Sequence, residues 1–256
     1  MNKPTVEFAT TVYENDWEII LKSKRLEDMI KGLNFEFEKR TLLINNVKNL
    51  EEVKRYAQIH IDSGLLTSYI VVEDYKKEVK EFFRIEDDRG EHFLIQHLVI
   101  IFLSDADYLL ACTGDSMIMN NEEWIDTAIQ KIESDEKVVV ASPSWYGNVE
   151  TQMRESFKDD KNFYFSYIFS DQFFLLKPSF FKNDIYNEKN DLSRFYPGEV
   201  QGAFEERVYK FLRNNDFHQI KHKKALYRHK NLPKSRLKTW LCLNLGINSK
   251  KYGIRI

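Results

Sequence analysis

The sequence predicts an α/β protein in which helices flank a central, mostly parallel β-sheet. Segments with strand character alternate with segments of helical periodicity through the first part of the chain, which is typical of parallel sheets with right-handed crossovers. Hydrophobic residues make up 43% of the 256 residues, enough for a sizeable core. The chain contains only 9 Gly and 5 Pro, so long flexible linkers are not expected.

The first part of the chain predicts three strands separated by helices. Asn49 and Glu52 have the spacing of a capping box at the start of one helix, and Gly64 is placed to end that helix. The predicted elements are, in chain order, a strand at Val6–Val12, helical periodicity over 17–30, a strand at Arg40–Ile44, a helix between Asn49 and Gly64, and a strand at Tyr69–Val72.

The alternation of strands and helices continues to about residue 142 and then breaks down. A largely polar segment follows Gly147-Asn148 and runs to Asn162. The elements predicted beyond the third strand are a buried helix at His92–Leu103, a strand at Tyr108–Cys112, a helix at Asn121–Ser134, strands at Lys137–Ser142 and Gln172–Leu176, a turn at Tyr196-Pro197-Gly198, a helix opening at Phe204, and a strand at His218–Tyr227.

Composition limits the class of protein. Charged residues make up 30% of the chain but nearly cancel, and a net charge of −2 argues against a general nucleic-acid binder. Cys112 and Cys242 form neither a metal-binding spacing nor a disulfide framework, which suits a reducing compartment. The N-terminal residues lack the apolar core of a signal peptide, and the apolar run Leu98–Leu103 is too short to cross a bilayer. We therefore expect a cytoplasmic protein.

Polar residues follow each of the four predicted strands of the first half. Ligands of open α/β sheets bind just outside the carboxyl ends of the strands, so these residues predict a binding site. The uncharged run Tyr108–Cys112 predicts a strand buried on both faces, and Thr113-Gly114-Asp115 follows it. An Asp after a Gly is also ordinary turn chemistry, so a structural role for Asp115 stays open at this point. The residues at the ends of the four strands are Glu14, then Asn45 and Asn46, then Glu73 and Asp74, and finally Asp115.

The order of these features resembles a nucleotide-sugar glycosyltransferase of the GT-A fold. The similarity covers roughly residues 5–230 and is greatest to the inverting bacterial enzymes that make polysaccharides and lipopolysaccharides. It implies a Rossmann-like sheet and a catalytic domain over 1–231, with a nucleotide-sugar-binding half at 1–120 and an acceptor-side half at 121–231. The expected donor is a nucleoside diphosphate sugar such as a UDP-sugar, and the expected acceptor is a surface glycan or a glycolipid precursor.

The resemblance assigns residues to the donor site. Tyr108–Asp115 is similar to the strand that carries the family's Asp-x-Asp metal motif, with Thr113 at the first Asp and Asp115 at the second. Asp105-Ala106-Asp107 spells the motif literally but precedes the strand, and we expect a helix-to-strand turn there. The positions that match nucleotide-sugar-binding residues are Thr11, Tyr13, Glu14, Asn46, Glu73 and Gly114.

The downstream part of the chain resembles the family's catalytic helix and late histidine. Glu205-Glu206 opens the helix where family members have Glu-Asp, which implies that Glu206 is the general base, with Glu205 or Asp171 as alternatives. His229 follows a short strand and matches a metal or phosphate contact. Trp145 and Tyr146 can stack on an acceptor sugar or cover the core.

The chemistry implied by the resemblance is an inverting single displacement assisted by a divalent metal, Mn²⁺ or Mg²⁺. The metal neutralises the diphosphate leaving group, with Asp115 and His229 as its expected protein ligands. Two other classes stay open. A nucleotidyltransferase normally has a glycine-rich basic loop after the first strand, whereas Thr10–Asp16 contains neither Gly nor Lys. The other open class is a non-catalytic binding or assembly protein of the same fold, because Thr113 replaces the first Asp of the metal motif.

Residues 232–256 form a basic amphipathic extension in which Leu, Trp and Ile occur among Lys and Arg. Such a segment can lie on an anionic membrane surface. It can equally be a terminal helix that packs on the domain or on a second subunit. We therefore predict either peripheral membrane contact or a packing role, including a homo-oligomer, for this extension.

Overall fold

Ten strands of the described residues form one mixed β-sheet in the computed structural model, which describes residues 3–86, 89–192, 201–233, 235–247, 249–252 and 254–255. The predicted turn at Tyr196-Pro197-Gly198 and Lys234 of the basic extension lie outside these residues. The strands are β1 Val6–Val12, β2 Lys39–Ile44, β3 Ser68–Val71, β4 Tyr108–Thr113, β5 Ser116–Ile118, β6 Val138–Trp145, β7 Lys158–Asp159, β8 Phe163–Ser166, β9 Phe173–Leu176 and β10 His218–His229.

Helices cover both faces of the sheet. Those in the described residues are α1 Trp17–Lys22, α2 Arg25–Lys31, α3 Leu50–Asp62, α4 Val72–Phe82, α5 Glu91–Leu103, α6 Ile125–Ser134, α7 Val149–Arg154, α8 Pro178–Phe181, α9 Phe204–Asn214, α10 Arg236–Leu245 and α11 Ser249–Tyr252, with a 3₁₀ turn at Tyr146–Asn148.

The first half of the sheet is parallel, as the alternation of elements predicts. Strand β1 pairs in parallel with β2 on one side and β4 on the other, and β2 pairs with β3. The register aligns Val12 with Ile44 and Thr11 with Thr113, so these strands end side by side. Their carboxyl ends therefore form one edge of the sheet.

The second half of the sheet is mixed because β9 runs antiparallel between β4 and β6. Strand β10 lies parallel to β6 and antiparallel to β8. Beyond an irregularity between His222 and Leu226, β10 continues to pair with the short strand β5. This last pairing sets His229 opposite Ser116, and so brings the end of the domain back to the turn after β4.

The core lies on both faces of the sheet, and β4 contributes to each. Tyr108, Leu110 and Cys112 pack into a cluster that includes residues of α1, α2, α3, α6 and α10. Leu109 and Ala111 point the other way, into a cluster with residues of α4, α5, α8 and α9. Alternation of side chains along a strand produces this division, and it confirms that β4 is buried on both faces.

Several predicted helices are confirmed. Helix α3 begins after Asn49, whose side chain accepts a hydrogen bond from the Glu52 N–H at 3.3 Å. It ends at Gly64, with φ +74°, and the Leu65 N–H donates to the His60 carbonyl at 2.9 Å in the pattern of a Schellman cap. Helices α5 and α9 occupy the predicted segments.

Other boundaries differ from the prediction for local reasons. The periodicity over 17–30 is two helices, because Ser23 is extended and its hydroxyl donates to the Ile19 carbonyl and accepts from the Arg25 N–H. Strand β3 ends at Val71, which places Glu73 in the first turn of α4. Helix α6 begins at Ile125, four residues after the predicted start. The polar segment after Gly147 contains α7 and β7, with β8 directly beyond it.

The C-terminal extension forms α10 and α11. Among the described residues, no helix has the length and apolar character needed to cross a bilayer.

Candidate active site

The turn between β4 and β5 holds an ion pair at the carboxyl edge of the sheet. The Nε2 atom of His229 lies 3.0 Å from Oδ2 of Asp115. Burial raises the pKa of Asp115, but the hydrogen bond and charge of His229 outweigh burial and leave this pKa below its usual value. Burial lowers the pKa of His229, and the hydrogen bond and charge of Asp115 raise it overall. Each residue thus favours the charged form of the other.

Hydroxyl groups lie beside this pair. The Thr113 hydroxyl is within 2.8 Å of the Ser116 hydroxyl, and it also forms a hydrogen bond with the Asp115 side chain. Thr113 thus occupies the first position of the predicted motif as a hydrogen-bonding partner of Asp115. A Thr supplies no charge to a metal ion, so the negative charge of this turn comes from Asp115 alone.

Gly114 is required by close packing. A Cβ atom at this position would lie 2.2 Å from Cδ1 of Ile20 and 3.0 Å from the carbonyl oxygen of Thr11. The Gly114 carbonyl accepts a hydrogen bond of 2.7 Å from Nε of Arg25. The turn that carries Asp115 is therefore fixed from both sides, by β1 and α1 on one and by α2 on the other.

Arg25 is a buried cation beneath the turn. It is only 2% exposed, and its second hydrogen bond runs from Nη1 to the Tyr252 carbonyl at 3.2 Å. Burial lowers the pKa of Arg25 to about 10, while the negative charge of Asp115 acts in the opposite direction. Arg25 therefore links the candidate site to the C-terminal helix α11.

The end of β1 contributes Tyr13 and the first turn of α1. The Tyr13 N–H donates to Oδ1 of Asp16 at 2.7 Å, and burial raises the pKa of Asp16 to about 7. The pKa of Tyr13 is raised, first by burial and then by the charges of Asp16, Asp171 and Asp115, although a hydrogen bond with Asn45 opposes this. Three carboxylates therefore converge on Tyr13.

The other predicted donor-binding residues are distributed along the same edge. Thr11 is buried and lies in register with Thr113. Glu14 accepts a hydrogen bond from the Lys48 N–H at 2.8 Å and lines a cleft of about 470 Å³. Asn46 is exposed with φ 50°, a conformation that Asn tolerates.

The structure changes the interpretation of two of these residues, Asn46 and Glu73. Asn45 is the asparagine that reaches Tyr13, so the neighbour of the predicted Asn46 is the one within the site. Glu73 is exposed in the first turn of α4, where a carboxylate interacts favourably with the helix dipole.

The Asp-Ala-Asp sequence precedes β4, with Asp105 paired to Lys39 and Asp107 accepting from Thr5, so it is a turn as predicted.

A pair of acidic residues, Asp171 and Glu205, lies near the Asp115–His229 ion pair. Burial raises the pKa of Glu205 to about 9, and the negative charge of Asp171 adds to this effect. Asp171 also raises the pKa of His229, which shows that the two pairs share one electrostatic environment. Near neutral pH Glu205 therefore keeps its proton.

The surroundings of this second pair are polar and buried. Lys221 is 6% exposed, its Nζ lies 3.6 Å from Oε2 of Glu155, and burial lowers its pKa. The Nε2 atom of His97 lies 3.6 Å from Oδ2 of Asp171 and has no hydrogen-bond partner among the described residues. A pocket of about 190 Å³ opens here, lined by Glu205, Lys221, Tyr227 and Trp145 among others.

Glu206, the base predicted from the resemblance, has a different environment. Its Oε2 accepts a hydrogen bond of 2.6 Å from the Gly202 N–H, and its Oε1 lies 3.0 Å from Nζ of Lys210. It lines a separate pocket of about 380 Å³, together with Arg84 and Arg207. Consecutive residues of a helix point about 100° apart, which is why Glu205 and Glu206 face different pockets.

The two aromatic residues predicted for the acceptor lie at the end of β6. Trp145 is 37% exposed and Tyr146 is 58% exposed. The backbone of Trp145 is held by Gln152, which accepts from its N–H at 3.1 Å and donates to its carbonyl at 3.0 Å. Their exposure leaves these side chains accessible to a ligand.

The chemistry of the turn suits a divalent ion bound mainly by a diphosphate. Asp115 offers a carboxylate oxygen, and His229 can add an imidazole nitrogen only when its ring is neutral and its hydrogen bond to Asp115 is broken; a carboxylate with an imidazole suits Mn²⁺ better than Mg²⁺. No cluster of three His, Cys, Asp or Glu side chains able to hold a metal occurs in the part of the chain that the structure describes. The described residues therefore supply at most two of the ligands that a divalent ion would need at this turn.

Sequence reasoning missed four residues of this site: Asp16, Arg25, Lys221 and Tyr227. Asp16 follows the first strand in a polar segment, where a loop carboxylate is expected. Arg25 lies in a segment interpreted as one amphipathic helix, and an Arg in such a segment is normally expected at the surface. Lys221 lies in β10, a strand rich in Lys, His and Arg, so the sequence carries no signal that this particular lysine is buried.

Comparison with solved structures identifies the fold. The chain is similar to GalNAc-T7 with UDP, GalNAc and Mn²⁺, with a TM-score of 0.54 and 12% identity over 94% of this chain and 48% of that chain. It is also similar to the mannosyltransferase PcManGT from Pyrobaculum calidifontis in complex with GDP-Man and Mn²⁺, with a TM-score of 0.53 and 12% identity over 94% of this chain and 61% of that chain.

These likenesses show that the chain has the GT-A fold of glycosyltransferases. The chain spans less than two thirds of the length of either structure. No protein-family model and no curated protein sequence matches it.

Proposed function

We propose that this protein is a glycosyltransferase that moves a sugar from a nucleoside diphosphate sugar to an acceptor hydroxyl. One observation carries the proposal. The Asp115–His229 pair lies at the carboxyl edge of a GT-A sheet, in the same electrostatic environment as the Asp171–Glu205 pair. The two solved structures named above contain Mn²⁺, together with UDP and GalNAc in one and GDP-Man in the other.

The donor binds along the strand ends in this proposal. Thr11, Tyr13, Glu14 and Asn45 line the edge at which the nucleoside would lie, and Asp115, with His229 in its neutral form, would hold the divalent ion. When bound, the ion supplies Lewis-acid neutralisation of the leaving group. Arg25 donates a hydrogen bond to the Gly114 carbonyl and thereby helps to hold the turn that carries Asp115.

Asp171 is the general base in this proposal, in place of Glu206. A base must be able to accept a proton, and Glu205, whose pKa burial raises to about 9, already holds one near neutral pH, which leaves Asp171 as the candidate. The acceptor oxygen forms a bond to the anomeric carbon, the bond from that carbon to the diphosphate oxygen breaks, and the hydroxyl proton passes to Asp171. Protonated Glu205 can donate a hydrogen bond to the acceptor or to Asp171. Attack from the side opposite the leaving group inverts the anomeric centre.

The acceptor that we propose is a glycan or glycolipid, as the resemblance to inverting bacterial polysaccharide transferases implies. Trp145 and Tyr146 are accessible for stacking on a sugar ring beside the pocket that holds Glu205. The cytoplasmic location predicted from the sequence stays a prediction.

Binding of donors tests the proposal directly. We expect one nucleotide sugar in a panel of UDP- and GDP-sugars to raise the melting temperature in the presence of Mn²⁺. A ligand at about 100 times its Kd stabilises the native state by about 2.7 kcal/mol. The shift should disappear in Asp115→Asn and persist in Asp105→Asn, which alters the literal Asp-Ala-Asp sequence. A panel with no shift, and no binding by calorimetry, would contradict the proposal.

A further inference from the structure

Helix α10 directs its apolar side chains away from the protein. Leu237, Trp240 and Leu245 are 67%, 52% and 59% exposed, whereas Thr239 and Cys242 are 4% and 0% exposed. Leu237, Leu241 and Leu245 are spaced four residues apart and share one side of the helix. A surface helix normally packs its apolar side against the core, so this orientation leaves an apolar face in need of a partner.

The helix itself is held firmly against the domain. Leu232, Cys242 and Ile254 belong to the main hydrophobic cluster. The Lys24 N–H donates to the Arg255 carbonyl at 2.9 Å, and the Arg255 guanidinium forms an ion pair with Asp28. The apolar face is therefore a formed surface of the folded protein and not the side of a detached tail.

Positive charge is concentrated in the same part of the chain. The 40 residues that follow Asp216 contain 11 Lys and Arg and no Asp or Glu, whereas the whole chain has a net charge of −2. Lys238 and Lys251 are exposed, and together with Leu241, Ile247 and Tyr252 they line a recess of about 150 Å³ beside the apolar face. Ile247, at the end of α10, is itself 46% exposed.

We propose that this outer face of α10 and α11 binds the surface of an anionic lipid bilayer. Leu237, Trp240, Leu245 and Ile247 enter the interfacial region, and Lys238 and Lys251 pair with lipid phosphates. Each basic residue near an anionic leaflet contributes about 1 kcal/mol, and buried apolar area adds to it. The charge complementarity favours a bilayer over a second copy of the chain, because two copies would bring like charges together.

The position of the face relates it to the candidate active site. Ser235, Thr239 and Trp240 line the cleft of about 470 Å³ whose opposite wall includes Glu14 and Lys48 from the strand ends. A bilayer bound by α10 therefore lies beside the edge proposed for donor binding. This placement rests on the proposed function and favours an acceptor that resides in the membrane. Membrane binding itself does not depend on the proposed function.

Sedimentation of the full chain with lipid vesicles tests the inference. We expect binding to vesicles of phosphatidylcholine with phosphatidylglycerol, weak binding to phosphatidylcholine alone, and a loss of affinity as salt rises. Leu237→Ser combined with Leu245→Ser should weaken binding roughly tenfold or more, because about 1.4 kcal/mol is a factor of ten. Ile59→Ser, at a position of α3 that is 47% exposed, is the matched control and should bind like the wild type.

Charge-reversing substitutions measure the electrostatic contribution to membrane binding. Lys238→Glu with Lys251→Glu should lower binding to the anionic vesicles, whereas Lys77→Glu, at an exposed position of α4, should not. Equal binding to both kinds of vesicle, or binding to neither, would overturn the inference. A dimer in sedimentation that Leu237→Ser dissociates, without vesicle binding, would also overturn it and assign the face to a second copy. None of these assays contains a donor, so failure here is distinct from failure of the transferase proposal.

Discussion

Two adjacent glutamates at the start of α9 illustrate how much depends on single side chains. Glu205 shares a buried environment with Asp171 and keeps its proton near neutral pH, since burial and that neighbouring charge raise its pKa to about 9. Glu206, in the first turn of its own helix, accepts a hydrogen bond from the Gly202 N–H and forms an ion pair with Lys210. The pair therefore divides into one residue that faces the candidate site and one that stabilises the helix.

Substitution of the two candidate bases should have opposite consequences. Asp171→Asn removes the proton acceptor and should lower transfer by roughly 100-fold or more while donor binding persists. Glu206→Gln should retain transfer and lower the free energy of unfolding by about 1 kcal/mol, because it loses the ion pair with Lys210. Steady-state transfer rates, calorimetric donor binding and thermal unfolding measure these effects. Full transfer in Asp171→Asn with none in a stable Glu206→Gln protein would return the base to Glu206.

The pKa of Glu205 predicts a dependence of stability on pH. Glutamate has an ordinary pKa of 4.5, and in the folded protein this pKa rises to about 9. Between these values the folded state retains a proton that the unfolded chain has released, so Glu205 reduces stability increasingly as pH rises through this window. Below pH 4.5 both states are protonated and the effect vanishes.

Glu205→Gln should therefore match the wild type in stability near pH 4 and exceed it as pH rises from 5 to 9. Each unit of pKa shift corresponds to about 1.4 kcal/mol. Urea unfolding at several pH values measures the difference between the two proteins. A difference that is constant across this range would contradict the assigned environment of Glu205.

At the scale of elements, three segments distant in sequence meet around one arginine. Arg25, at the start of α2, donates to the carbonyls of Gly114 in the β4–β5 turn and of Tyr252 in α11. The tail is further joined to α2 by the ion pair between Arg255 and Asp28. The turn that carries Asp115 therefore depends on α2 and on the C-terminal helices for its conformation.

Arg25→Met should destabilise the protein by about 3 kcal/mol, since two carbonyls lose a charged donor and Asp115 loses a nearby cation. Donor affinity in the presence of Mn²⁺ should fall as well, because the Asp115 turn is less firmly held. Arg154→Met, at an exposed position near the end of α7, is the control for loss of a charged side chain. Thermal unfolding and calorimetry report the two effects. Unchanged stability and affinity in Arg25→Met would show that the link has no energetic role.

Helices and strands were predicted correctly where the hydrophobic pattern is strong. They were missed where a strand forms only because a distant strand pairs with it. The continuous apolar run predicts β4, and apolar residues all round predict the buried helix α5. In contrast, β5 has three residues and β7 has two, which is too short for any periodic pattern. Strand β5 forms because the end of β10 is available to pair with it.

The candidate site was predictable only in part for the same reason. Asp115 follows a recognisable buried strand, and the resemblance places His229 with it, which agrees with the distance of 3.0 Å between them. The resemblance implies Glu206 as the base, with Glu205 or Asp171 as alternatives, and sequence alone does not show which of two adjacent carboxylates turns toward the site; the identity of the base stays a prediction. The buried position of Arg25 depends on a break at Ser23 that the helical pattern over 17–30 hides.

At the scale of the whole molecule, a single sheet places the proposed donor site and the proposed membrane surface along one side. The parallel strands β1, β2 and β4 end together, and β10 returns to that same edge with His229. The strongly basic last 40 residues continue from β10 into α10, beside the cleft at the strand ends. This arrangement is compatible with a GT-A enzyme that meets its acceptor at a membrane.

Release of nucleoside diphosphate from the donor tests the central claim most directly. With the nucleotide sugar that stabilises the protein and with Mn²⁺, the wild type should release the diphosphate, slowly to water and faster to an acceptor. Asp115→Asn should abolish release, and Asp105→Asn should leave it unchanged. Absence of release by the wild type with every donor in the panel, or equal release by Asp115→Asn, would contradict the assignment of this protein as a glycosyltransferase acting through Asp115.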